Sequence, residues 1–274
     1  MGQKTGVVSD RPAPLAVIGG SGLYSLFDPA VSSVRMVPTP YGMVEVTLGE
    51  LGGRPAVFLP RHGAGHSVAP HLIGYRANIW ALASLGVSAI ISTAAVGAVD
   101  PGYPVGSLCL PDQYLDRTRG RDDTFYDRDS VQHLPSADPF CPQLREIASA
   151  AAGPGLIDSA TVAIIPGPRF STRAESMALR ASGAQLVNMT LYPEVPLASE
   201  LTIGTVTLAY VTDNDASPSN EPVTAEAVFA RLQAAQPRIV GAIEAIAAAI
   251  PDDYRARAFI PRAAVESVLA RAVR

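Results

Sequence analysis

Lysine is almost missing from this chain: Lys4 stands alone among 21 basic residues, and 25 acidic ones leave a net charge of −4. That balance excludes the basic stripe by which proteins hold nucleic acid or an anionic membrane, so neither is expected as a partner. The other basic side chains are arginines, whose planar fork suits phosphate. Cysteine is nearly as scarce. Cys109 and Cys141 have no metal-ligand spacing and lack the density of a disulfide scaffold, which points to no metal and to a reduced, cytoplasmic setting. Long apolar runs are also missing. The longest, residues 239–250, carries Glu244 and is too short to span a bilayer. Residues 1–14 are polar and proline-bearing, without the apolar stretch of a secretion signal, and Gly6 stands where a myristoylated chain has Ser or Thr.

The chain does have apolar residues in quantity, 48% hydrophobic against 17% charged, as a globular protein has. Residues 1–12 read as a disordered tail and 13–274 as one domain, a size that α/β domains reach undivided. Leu15-Ala16-Val17-Ile18 reads as a buried strand running into glycines, and residues 42–51 and 54–59 as two strands joined at Gly52-Gly53. Further strands are expected at 89–93, 107–111, 161–165, 186–189 and 205–212. Helices are expected at 71–85, 142–152, 171–182, 193–200 and 224–250, the last broken or kinked at Pro237. This alternation predicts an α/β fold: a single domain with a central mixed, largely parallel β-sheet flanked by helices. Ligands of such sheets gather at the carboxyl ends of the strands. Residues 117–133 form a long charged segment, read as a functional loop or a subunit contact.

The polar motifs fall at those strand ends. Gly19-Gly20-Ser21-Gly22 allows a tight turn with amides facing an anion, and Ser21 adds a hydroxyl. As a dinucleotide fingerprint it lacks the third glycine, replaced by Ser25. Arg61-His62-Gly63 closes a strand with a fork for phosphate oxygens and a further donor. Thr93-Ala94-Ala95-Val96-Gly97 adds a hydroxyl and a small-residue turn, and Asn188-Met189-Thr190 supplies a second threonine. Each piece alone has a plain alternative: an ordinary turn, or a solvated surface pair.

Taken in order, residues 19–22, 61–63, 75–82 (Tyr-Arg-Ala-Asn-Ile-Trp-Ala-Leu), 93–97, 167–175 (Gly-Pro-Arg-Phe-Ser-Thr-Arg-Ala-Glu), 188–190, Pro193-Glu194 and 212–215 (Thr-Asp-Asn-Asp) span most of the chain. The set resembles the trimeric purine nucleoside phosphorylases, and within them the branch that cleaves methylthioadenosine. The resemblance implies phosphate ligands at Ser21, Arg61, His62, Thr93, Ala94 and Thr190, and a ribose contact at Met189. It implies a homotrimer in which the segment around His133 covers a neighbouring subunit's 5′ pocket. It also implies a nucleoside and inorganic phosphate as the small-molecule partners.

The base subsite decides the substrate. If the strand at 205–212 continues, Asp213 and Asp215 share one face and Asn214 points away. A carboxyl group accepts from a 6-amino group and protonates N7, so this pattern favours adenine. An Asn amide, a donor to O6, would favour 6-oxopurines. Phe170 is the candidate to stack on the purine, while Arg173 and Glu175 orient its loop. The chemistry expected is attack of bound phosphate on C1′ with Asp213, beside Asp215, as general acid, and no cofactor is needed. Three other readings stay open: a 6-oxopurine or methylthioinosine phosphorylase, a nicotinamide-dependent dehydrogenase, and a non-catalytic purine-binding protein.

Overall fold

β1 (Leu15–Gly19) is buried at every position, as a strand covered on both faces must be. Its alternate side chains serve two layers. Ala16 and Ile18 pack with Ile79, Leu82 and Leu197, while Leu15 and Val17 pack with Leu144, Ile243 and Ile246. The computed structural model that shows this describes residues 12–214 and 224–273; the expected tail, apart from Pro12, and Asp215 lie outside the described residues.

β1 lies in parallel between β4 (Arg54–Pro60) and β5 (Ala89–Ala98). Beyond β4, β3 (Gly42–Leu51) and β2 (Ser33–Thr39) extend the sheet with antiparallel pairings. Gly52 and Gly53 make the expected β3–β4 turn at φ of 60° and 78°. On the other side come β10 (Leu186–Asn188), β9 (Thr161–Ile164) and β7 (Gln113–Asp116), while β11 (Gly204–Asn214) follows β5 along its length. β6 (Leu108–Cys109) pairs with β11, and β8 (Leu156–Ile157) with β6. Six of the ten described pairings are parallel, so the sheet is mixed and largely parallel, as expected. Helices α1 (Tyr75–Ser84), α4 (Leu191–Glu200) and α6 (Arg262–Leu269) cover one face. Helices α2 (Pro142–Ala151) and α5 (Ala225–Ala249) cover the other, and α3 (Arg173–Ala181) packs Leu179 near the far edge.

Three expectations change. The helix expected over 71–85 is divided: a short 3-10 turn at Pro70–Leu72, a non-helical Gly74, then α1. Pro237 does not break α5, which runs as one helix through it. The turn expected at 93–97 is strand, since β5 continues to Ala98. The last change matters most for the site. β1 pairs with β5 only as far as Ser92, and β10 joins that same edge, antiparallel, only at Gly97. Residues 93–96 therefore face no strand on that side, and the opening lies just past the register where Gly19 meets Pro60.

Candidate active site

The opening in the sheet is filled by side chains. Arg61, next after β4, donates from Nη1 to the Thr93 carbonyl at 2.8 Å, and Asn188, closing β10, donates from Nδ2 to the Ala95 carbonyl at 2.9 Å. Arg61 is 2% exposed and forks onto Glu194 of α4, Nε to Oε2 at 2.6 Å and Nη2 to Oε1 at 2.7 Å. Burial works against the charged guanidinium, but the Glu194 charge and hydrogen bonds outweigh it and hold the Arg61 pKa above its ordinary value. The expected fork onto phosphate thus belongs to a carboxylate. Of five N–H groups three are engaged, leaving one on Nη1 and one on Nη2 for a ligand.

His62 is also changed by its setting. Its Nδ1 lies 2.9 Å from the Val68 carbonyl, so Nδ1–H is the donor there. Burial pushes its pKa down to about 4, which keeps the ring neutral near pH 7 and makes Nε2 an acceptor. With Nδ1–H spent on Val68 and the ring neutral, the donor role expected for His62 is replaced by an acceptor at Nε2. The glycine turn differs too. The Gly20 N–H donates to Thr93 Oγ1 at 2.8 Å and is not presented to an anion. Glycine is required because a Cβ would stand 2.5 Å from the Thr93 carbonyl oxygen and 2.9 Å from Arg61 Nη1. The strand after this turn is β2, with no helix between them, so the turn does not open a dinucleotide-binding βαβ unit. Asn188 Oδ1 accepts from the Thr190 N–H at 2.7 Å, the Thr190 hydroxyl at 3.2 Å and the Leu191 N–H at 2.9 Å. It thereby fixes Thr190 at the entrance to α4.

The far end of the site is set by β11. A register shift between Val211 and Asp213 breaks its alternation, so Thr212 and Asp213 both reach the site. Thr212 donates its hydroxyl to Asp213 Oδ1 at 2.6 Å, and Asp213 is 8% exposed. Asn214 turns the other way, with Nδ2 3.4 Å from the Tyr103 carbonyl. Gly97 makes room between them: a Cβ there would lie 2.6 Å from Asp213 Oδ2 and 3.1 Å from Val187. Phe170 follows the turn at Gly167, whose φ of 65° favours glycine. Glu175 holds this loop by a fork onto Arg169, both contacts at 2.7 Å, and by a capping box with Thr172. Arg169, not Arg173, is its partner.

These groups enclose a cavity of about 470 Å³. Of the expected residues, Ser21, Arg61, His62, Phe170, Met189, Thr190 and Asp213 line it. Thr93 and Ala94 sit behind Ser21 around a small adjoining void. His133 is exposed and does not line the cavity, nor does Asn214. Sequence reasoning missed the apolar wall from α5, Ala225, Val228 and Phe229. It also missed His66, whose ring lies 4.6 Å from that of His62 and 5.2 Å from that of Phe229.

Comparison with known proteins bears on this site. The family model for the phosphorylase superfamily matches residues 14–248. Over 226 residues the chain is 47% identical to S-methyl-5'-thioadenosine phosphorylase of Mycolicibacterium smegmatis, an alignment covering 81% of this chain and 86% of that one. It is 44% identical over 253 residues to purine nucleoside phosphorylase of Streptomyces coelicolor, covering 87% and 90%. A solved structure of methylthioadenosine phosphorylase from Schistosoma mansoni in complex with adenine superposes with a TM-score of 0.80 at 35% identity, covering 86% and 91% of the two chains.

Proposed function

As the chain belongs to the phosphorylase superfamily, we propose that it is a pentosyltransferase cleaving 5'-methylthioadenosine with phosphate to adenine and 5-methylthioribose 1-phosphate. One observation carries this reading. A single cavity is lined by Arg61, His62 and Thr190, by Asp213 and Phe170, and by Val228 and Phe229 as an apolar wall. Phosphate held by the remaining Arg61 N–H groups, Ser21 and Thr190, with Thr93 and Ala94 backing Ser21, would lie beneath the ribose at Met189. As the C1′–N9 bond breaks, its charge stabilises the oxocarbenium-like sugar, and one of its oxygens forms the new bond to C1′. Asp213 gives a proton to N7, so the base leaves neutral. Phosphate is a co-substrate, and the reaction calls on no cofactor.

The purine-salvage role, the trimer and the reach of His133 into a neighbouring subunit belong to the same reading. His133 stands exposed and away from its own cavity, which suits that reach. Two buried free cysteines suit a reducing cytoplasm, and among the described residues no helix is long and apolar enough to cross a membrane. The Streptomyces relative's name, purine nucleoside phosphorylase, specifies no 6-substituent, so the 6-oxopurine reading is the rival to test. Against it, the Asn214 amide bonds to Tyr103 and Asp213 faces the cavity.

The test is release of free base from methylthioadenosine, adenosine, inosine and methylthioinosine, each with and without phosphate. Phosphate-dependent adenine release is expected, with the methylthio group favoured over hydroxyl by roughly 10- to 200-fold. Asp213→Asn should lose about 10²–10⁴-fold on methylthioadenosine and less on methylthioinosine, with Asn214→Ala nearly silent. Base binding without phosphate-dependent cleavage would make this a purine-binding protein instead.

A further inference from the structure

We propose that Arg121, which does not line the cavity, is the positioning residue that holds the ribose and phosphate contacts in register. The inference rests on the reaction proposed above. Arg121 lies in the long segment after β7. Its Nη2 donates to the carbonyls of Met189 at 2.8 Å and Pro166 at 3.1 Å, and its Nη1 to the Tyr192 carbonyl and to the Tyr75 hydroxyl at 3.3 Å. The guanidinium also lies 5.3 Å from the Tyr75 ring centre, and Tyr75 in turn donates to the Pro70 carbonyl at 2.9 Å. All four acceptors of Arg121 are neutral oxygens, and each belongs to a segment that shapes the site. Met189 precedes Thr190; Pro166 precedes the Phe170 loop; Tyr192 leads to Glu194, the partner of Arg61; Pro70 itself lines the cavity.

The sequence explains why one side chain must do this. In a regular helix the carbonyls of Met189 and Tyr192 would accept from the amides four residues on. Those residues are Pro193 and Pro196, which have no N–H. Tyr192 is itself non-helical, at φ −106° and ψ 132°. The Met189 and Tyr192 carbonyls therefore have no amide at that spacing to accept from, and Arg121 supplies a donor to each from another segment. That segment is anchored separately, by Glu200 of α4 accepting from the Thr124 hydroxyl at 2.6 Å and the Phe125 N–H at 2.7 Å. Loss of the guanidinium thus frees the carbonyls while the anchor stays.

The test uses full-length wild type, Arg121→Ala and Arg121→Lys, with and without added guanidinium and salt-matched controls. Steady-state kinetics vary phosphate and methylthioadenosine separately. The rise in unfolding temperature caused by phosphate is measured in parallel and needs no catalysis. A displacement of about 1 Å costs on the order of 100-fold, so Arg121→Ala is expected to lose about that in kcat/KM for phosphate. Guanidinium should restore part of this loss and the phosphate-induced shift, with no gain in wild type. Arg121→Lys, one compact ammonium replacing a fork, should fold like wild type and keep a raised KM for phosphate. Unchanged phosphate kinetics in Arg121→Lys and Arg121→Ala overturn the proposal. So does a loss that guanidinium leaves untouched while the phosphate-induced shift stays intact. If Arg121→Ala does not fold, Arg121→Lys decides. A wild type that phosphate stabilises but that cleaves no methylthioadenosine overturns the reaction alone, and the stabilisation measurements still judge Arg121; a wild type with neither response overturns both.

Discussion

Glu194→Gln tests how the Arg61 charge is balanced. The wild-type pair is almost wholly enclosed, with side-chain exposures of 1% and 4%. The substitution keeps the shape and one acceptor but removes the negative charge, leaving a buried guanidinium without its counter-ion. Breaking a buried pair from one side costs about 3–5 kcal/mol. In a chain of this size each kcal/mol moves the unfolding midpoint by roughly 2–4 °C, so the variant should melt about 6–20 °C below wild type without phosphate. The retained amide oxygen still accepts one N–H, which favours the lower end. Phosphate can replace the missing charge, so it should recover more stability in the variant than in wild type. A ligand at a hundred times its Kd adds about 2.7 kcal/mol, enough to be read as several degrees. The assay is thermal unfolding of both proteins over a phosphate series. An unchanged midpoint without phosphate would refute a stabilising pair. An equal phosphate response in the two proteins would show that the bound anion does not sense the Arg61 charge.

Two further outcomes follow from single contacts. Gly97→Ala would place a methyl carbon 2.6 Å from Asp213 Oδ2 and should cost adenine release about 10²–10⁴-fold, whereas Gly241→Ala, in open space on α5, should leave it unchanged; equal activity of the two variants would exclude Gly97 as the space that seats Asp213. His62, at about 4 against an ordinary 6.5, binds its proton later in the folded than in the unfolded protein as pH falls. Its contribution to stability is therefore full above pH 6.5, shrinks between 6.5 and about 4, and falls no further below that. His62→Gln should flatten this stretch in urea unfolding at stepped pH, and an unaltered slope would assign the acid sensitivity to other groups.

Much of the architecture was legible because burial dictates composition. β1 and the start of β5 are continuous apolar runs that only a doubly covered strand explains. The elements that escaped notice lack such a signal. β2 is mostly exposed along its length, with Val37 and Thr39 its buried positions, and β8 is a two-residue strand. The continuation of β5 past Thr93 to Ala98 was hidden by small residues that read equally well as a turn. Pro237 lies within a helix long enough to absorb it, which local rules do not see.

The site was legible to a similar limit. Serine, threonine, arginine and aspartate at strand ends mark where a polar ligand is held, and most of them do meet in one cavity. What those residues are bonded to could not be read. The fork of Arg61 depends on Glu194, 133 residues away, and the tautomer of His62 depends on a carbonyl at Val68. Asn188 and Arg121 answer a need that exists only once the strands are paired and α4 begins among prolines: carbonyls at Ala95, Met189 and Tyr192 without backbone donors. Such a need has partial traces in sequence, since prolines at 193 and 196 announce missing amides. The supplier can be any donor the fold brings near. Reading a site therefore requires two questions of each polar residue: what it offers a ligand, and which backbone group it already serves. Here the second question reassigns three of Arg61's five N–H groups to the protein itself, and it likewise assigns the Thr190 hydroxyl proton to Asn188 and a Thr93 hydroxyl lone pair to Gly20, so each of these residues offers a ligand less than its type suggests.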